Sequence, residues 1–130
     1  MNFEKEIELK LQLIDGSFSI HKLSPKMAIP ATVLESEVFF VAQTKDELSI
    51  VCSSEIGMRH AKTEPDWACF MVVGPLDFTL TGILARISNA LSQARISIFA
   101  ISTFDTDYIL VKESDLERAQ KVLKDSGYHV

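Results

Sequence analysis

Residues 67–130 change hydrophobic period from strand to helix, back to strand and again to helix, and this alternation restricts the possible folds more than any other feature. Trp67–Val73 (WACFMVV) is a nearly continuous apolar run of strand length, stopped by Gly74-Pro75. From Gly82 to Ala94 the period becomes helical: Ile83, Leu84, Ile87, Leu91 and Ala94 share one face, and Arg86, Asn89 and Gln93 lie off it. Ile96–Ser102 is the next strand, Thr103–Thr106 a turn, and Asp107–Lys112 a strand with Tyr108 and Leu110 on one face and Ile109 and Val111 on the other. Ser114-Asp115-Leu116-Glu117 reads as a capping box opening a last helix, striped by Leu116, Ala119, Val122 and Leu123. Gly127 sits where a left-handed cap ends it, and Tyr128–Val130 begins a final short strand. The order β-α-β-β-α-(β), with both crossover helices on one face, predicts an α+β two-layer sandwich.

The first half is strand-rich. Ile7, Leu9, Leu11 and Leu13 alternate with Glu6, Glu8, Lys10 and Gln12, which predicts a half-buried strand. Asp15-Gly16 predicts a hairpin turn into Ser17–Lys22, with Phe18 and Ile20 facing the core. Pro25 and Pro30 forbid a long helix or central strand over 23–37, leaving a loop with one helical turn after Pro30. Val38–Gln43 and Leu48–Ser53 are strands around the turn Thr44–Glu47. The polar stretch 54–66, with Gly57 and Pro65, reads as a linker.

With 47% hydrophobic and 24% charged residues the 130-residue chain is a folded protein, not a disordered one. Thirteen basic against eighteen acidic residues give a net charge of −5 with no basic block, which argues against nucleic acid or an anionic membrane as partner. No apolar run approaches the roughly 20 residues that span a bilayer. The start MNFEKEIELK is charged and alternating, unlike a signal peptide, so the expected location is cytoplasmic. Cys52 and Cys69 lie in apolar runs without a CxxC pair and are expected to be buried thiols. His21, His60 and His129 are scattered without metal-ligand spacing, so neither metal nor cofactor is expected. No nucleophile–base set can be assembled, and Asp105 and Asp107 point to opposite sides of an extended chain, so no enzyme is expected.

Two segments exceed what packing needs. Gly74–Leu84 (GPLDFTLTGIL) delivers the free amides of Gly82, Ile83 and Leu84 at a helix start, where a carboxylate or phosphate is attracted. It fits equally a plain loop with Gly82 as turn residue and Thr79 or Thr81 as cap. Ser102–Asp107 (STFDTD) closes a hairpin; local turn bonds account for Asp105 and Thr106, whereas Asp107 at a strand start is also placed to meet a ligand ammonium.

The stretch GPLDFTLTGILARISNALSQARISIFAISTFDTDYILV, above all LTGILARIS and ISTFDTDYILV, resembles the ACT domain. The resemblance is to the branch shared by the cytosolic arginine sensor of animals and small bacterial stand-alone ACT proteins, and TKDELSIVC (Thr44–Cys52) extends it into the first half. It implies a ferredoxin-like βαββαβ module, here an ACT domain in 61–130 preceded by a degenerate, strand-rich ACT-like unit in 1–60. It also implies a non-catalytic regulatory role: binding a free amino acid or similar metabolite between ACT units, in a homo-oligomer expected to be a dimer, with a regulated protein as possible further partner. By resemblance, Gly82 and Ile83 hold the ligand carboxylate, Thr103 and Phe104 contact the ligand backbone, and Asp107 faces its polar atoms. The arginine sensor carries an acidic residue where this chain has Leu80, which points away from arginine and towards a neutral or apolar amino acid. The alternative is an ACT-fold interaction module that binds a protein and no small ligand.

Overall fold

A computed structural model describes residues 9–74 and 82–130. In chain order the elements are β1 (Leu11–Leu23), α1 (Ala31–Leu34), β2 (Phe40–Gln43), β3 (Leu48–Ser53), β4 (Lys62–Val72), α2 (Ile83–Gln93), β5 (Ile98–Ser102), β6 (Asp107–Lys112), a 3-10 turn at Glu113–Asp115, and α3 (Leu116–Asp125). They form two compact units, Gly16–Trp67 and the segments up to Asp15 and from Ala68 to Val130. Strands β1 and β4 run through both.

In the Gly16–Trp67 unit, β3 pairs antiparallel with β1 and β2, in registers that include His21↔Ile50, Leu23↔Leu48 and Phe40↔Val51. Directly opposed residues share a face, so His21 and Leu23 stand beside Leu48, Ile50 and Cys52. Leu23, Val33, Leu48, Ile50 and Cys52 form this unit's core. Helix α1 is the single turn expected after Pro30, with the Val33 amide donating to the Pro30 carbonyl at 3.0 Å. Its Val33 is fully buried.

The other unit has the strand neighbours β1-β4-β6-β5. With β4, α2, β5, β6 and α3 in chain order, this is the split β-α-β arrangement of a ferredoxin-like α+β fold. Ala68, Phe70 and Vals 72 and 111, with Ile109, alternate along β4 and β6 and pack against Ile83, Ile87 and Leu91 of α2 and Ala119 and Leu123 of α3. The sheet is therefore one layer and the helix pair the other.

Four local expectations change. Asp15-Gly16 makes no hairpin: β1 continues through it as one strand of 13 residues, with Gly16 at φ +96°. A left-handed glycine inside a strand permits a kink as readily as a reversal. The expected linker contributes Lys62–Asp66 to β4, where Asp66 takes φ +65°. The capping box is absent, since α3 is entered through the 3-10 turn with Asp115 at the N-cap and no side-chain capping bond. The Asp115 carboxylate instead pairs with Arg118 at 2.8 Å. The final strand is reduced to a parallel bridge, Lys10↔His129. Gly127 does cap α3, at φ +98°: its amide donates to Lys124 and that of Tyr128 to Leu123, both at 3.0 Å.

Candidate functional site

The β5–β6 hairpin is held by its own backbone and by a bond to β4. The Thr103 amide donates to the Thr106 carbonyl at 2.8 Å, and the Thr103 hydroxyl donates to the same oxygen at 3.0 Å. The Thr106 hydroxyl, buried to 7% exposure, donates to the Val72 carbonyl at the end of β4. Thr106 thus fixes the hairpin turn beside the strand end from which the chain leaves towards α2.

Gly82 is the N-cap of α2, with φ +78° and no side-chain capping bond. The first intrahelical bond runs from the Arg86 amide to the Gly82 carbonyl at 2.9 Å. No acidic residue occupies the first turn of α2, so within that turn no carboxylate offsets the positive helix end. Ile83 is 5% exposed and packs in the core. Its side chain anchors the helix start to the core.

Asp107 opens β6 in register with Ser102. Along a strand, residues i and i+2 share a face, so Asp107 lies on the side of Ile109 and Val111, which face the helix layer. Its carboxylate accepts a bond from the Ser102 hydroxyl, which orients one oxygen, Oδ1. Thr103 is exposed, and Phe104 at the hairpin tip is 79% exposed. The expected site residues therefore divide cleanly. Gly82 and Ile83 stand at the start of α2, and Thr103, Phe104 and Asp107 at the turn and strand start of the β5–β6 hairpin. Leu80, and with it the alternative caps Thr79 and Thr81, lies outside the described residues. Sequence inspection missed Ser102 as the partner of Asp107 and Thr106 as the buried tie, because both roles depend on strand register.

Elsewhere, both thiols are buried and free, with burial pushing Cys69 up to about 12 and Cys52 in the same direction. His21 is 3% exposed; its Nδ1 lies 2.8 Å from the Thr63 hydroxyl, while Nε2 meets no partner among the described residues. Burial pushes its pKa down. Among the described residues no three His, Cys, Asp or Glu side chains are grouped to hold a metal ion, and no helix is long and apolar enough to cross a membrane.

Known proteins share this fold. The ACT domain family matches residues 62–125, and a second family, described as an N-terminal domain, matches 16–56. The human (Homo sapiens) and orangutan (Pongo abelii) proteins named cytosolic arginine sensor for mTORC1 subunit 1 are each 32% identical over 122 residues. That is 86% of this chain but 37% of the sensor's length. The crystal structure of an Agobacterium tumefaciens protein is 37% identical with a TM-score of 0.87, covering 95% of this chain and 92% of that one. The ligand-free regulatory subunit of aspartate kinase from Thermus thermophilus has a TM-score of 0.61 at 15% identity, covering 88% and 95% of the two chains, a likeness of fold. With the matching family model, the split β-α-β arrangement and the sensor sequences in agreement, residues 62–125 of this chain are an ACT domain.

Proposed function

We propose that the chain is a non-enzymatic regulatory module that binds a free amino acid between ACT units of a homodimer in the cytoplasm. The observation that carries this reading is the half-buried Asp107 on the sheet face that meets the helix layer, a layer whose helix α2 opens at Gly82 with no acidic residue in its first turn. A zwitterion needs both: amides for its carboxylate and an acceptor for its ammonium. Thr103 and Phe104 flank the ligand backbone, and Leu80 selects a neutral or apolar side chain over arginine. These relatives are by name cytosolic arginine sensors for mTORC1, which supports a sensing role here and a protein as the regulated partner. Residues 1–60 are a degenerate ACT-like unit and 61–130 the ACT domain that carries the site.

Calorimetry with leucine and its des-amino analogue tests this. Gly82→Pro should abolish binding of both, since proline has no amide hydrogen and constrains the turn. Asp107→Asn should weaken leucine about tenfold or more while sparing the analogue, which has no ammonium to lose. Equal losses for both ligands mean that Asp107 shapes the turn and does not meet the ligand. One observation favours a protein-binding role in addition: Phe104, a large aromatic, is exposed at the hairpin tip.

A further inference from the structure

The flank of α2 towards α3 borders a groove of about 540 Å³ shared with α3 and the chain that follows it. That volume is in the range of small-ligand sites, about 300–1,000 Å³. Arg86, Ala90 and Ala94, four residues apart, line it from α2; Asp125 and Tyr128 line it from the other side. The alanines keep it open, and Ala94 also packs against the core below. Arg86 brings a buried Nε that meets no acceptor among the described residues. A buried donor left without a partner costs free energy that an incoming acceptor recovers. Opposite, the Asp125 carboxylate stands in the last turn of α3, where helix carbonyls add negative potential.

We propose that this groove is a second small-molecule site, separate from the one at Gly82 and Asp107, for a zwitterion of the α-amino-acid type. Its carboxylate pairs with the Arg86 guanidinium, whose planar fork suits two oxygens, and its ammonium pairs with Asp125. The charge pattern selects this class, because a simple anion is repelled by Asp125 and a simple cation by Arg86.

The test is an NMR titration of the full chain, labelled with nitrogen-15, against a panel of free proteinogenic L-amino acids, with acetate and methylammonium as controls. Amides of Asn89, Gln93 and Asp125 should shift with at least one amino acid and far less with either control. Arg86→Gln and Asp125→Asn should each weaken that response about tenfold, and Ala90→Leu should block it by filling the groove without altering charge. Shifts at Gly82 and Thr103 report the other site independently, so failure of one site is distinguishable from failure of the other. The proposal is overturned if the groove amides stay still to about 10 mM ligand, a limit that excludes all but very weak binding. It is equally overturned if acetate acts as well as the amino acid, if Arg86→Gln leaves the response intact, or if the same amides shift with protein concentration alone, which would place a second copy in the groove.

Discussion

Arg95 follows the last turn of α2 in a left-handed conformation, φ +60°, that side chains rarely adopt. The bonds around it explain why the chain accepts this: the Arg95 amide donates to Ser92 at 2.9 Å and that of the buried Ile96 to Leu91 at 3.0 Å. Glycine at 95 removes a steric cost of about 1–2 kcal/mol and returns about 0.5–1 kcal/mol through a freer unfolded chain. Arg95→Gly should therefore stabilise the protein by about 0.5 kcal/mol, read as a higher urea midpoint; a lower one would assign the exposed Arg95 side chain a contact of its own. His21 provides a pH handle. Burial lowers its pKa from the ordinary 6.5, so the folded state holds it neutral while the unfolded chain protonates first. Unfolding then takes up a proton as pH falls below 6.5. The stability is complete above that value and declines beneath it, by at most about 1.4 kcal/mol per pH unit, until the native histidine is itself protonated. Urea titrations between pH 7 and 5 should show this decline in the wild type and a shallower one in His21→Leu.

The two long helices share an exit and differ at their entries. Both end with paired amide-to-carbonyl bonds around a left-handed residue, Arg95 after α2 and Gly127 after α3. At the entries, α2 begins on a bare glycine and α3 on an aspartate already engaged by Arg118, which also donates to the Ala94 carbonyl at 2.9 Å and so links the end of α2 to the start of α3. The start of α2 is the entry that the proposed function assigns to a ligand. Its partner hairpin depends on Thr106. Thr106→Val should remove the bond to the Val72 carbonyl and leave that acceptor buried, costing about 1–3 kcal/mol. Hydrogen exchange should quicken at Thr103, whose amide bonds within the turn, and amino-acid affinity should fall in parallel. Retained affinity in a destabilised Thr106→Val protein would separate the hairpin from the site.

As a whole molecule, the chain is expected to act in pairs. Among the described residues β2 and β5 end the strand order, and strands at a sheet edge invite pairing with a second copy. Light scattering should give twice the 14.5 kDa chain mass at micromolar concentration, and a neutral amino acid should raise the melting temperature of that dimer. A monomer with and without amino acids would remove the shared site.

Local signals along the chain were sufficient for much of this. The apolar run of β4, the 3.6-residue stripe of α2 and the alternation of β6 each depend on which face of one element is buried, and such periodicity is written into consecutive residues. The residues proposed for the site, Gly82, Thr103, Phe104 and Asp107, come from short local stretches, before α2 and between β5 and β6. What needed the folded chain is what depends on partners distant in sequence. Asp-Gly specifies a backbone conformation, not a reversal, and β1 runs on past Gly16 because β3 pairs with it from Phe18 to Leu23. Polar Lys62–Asp66 joins β4, where Thr63 reaches His21 across 42 residues. The bond from Ser102 to Asp107 and that from Thr106 to Val72 are products of register, and the groove beside Arg86 is the space left where two helices meet. No window of neighbouring residues encodes these, because each is set by long-range pairing, and burial and pairing are properties of the assembled chain.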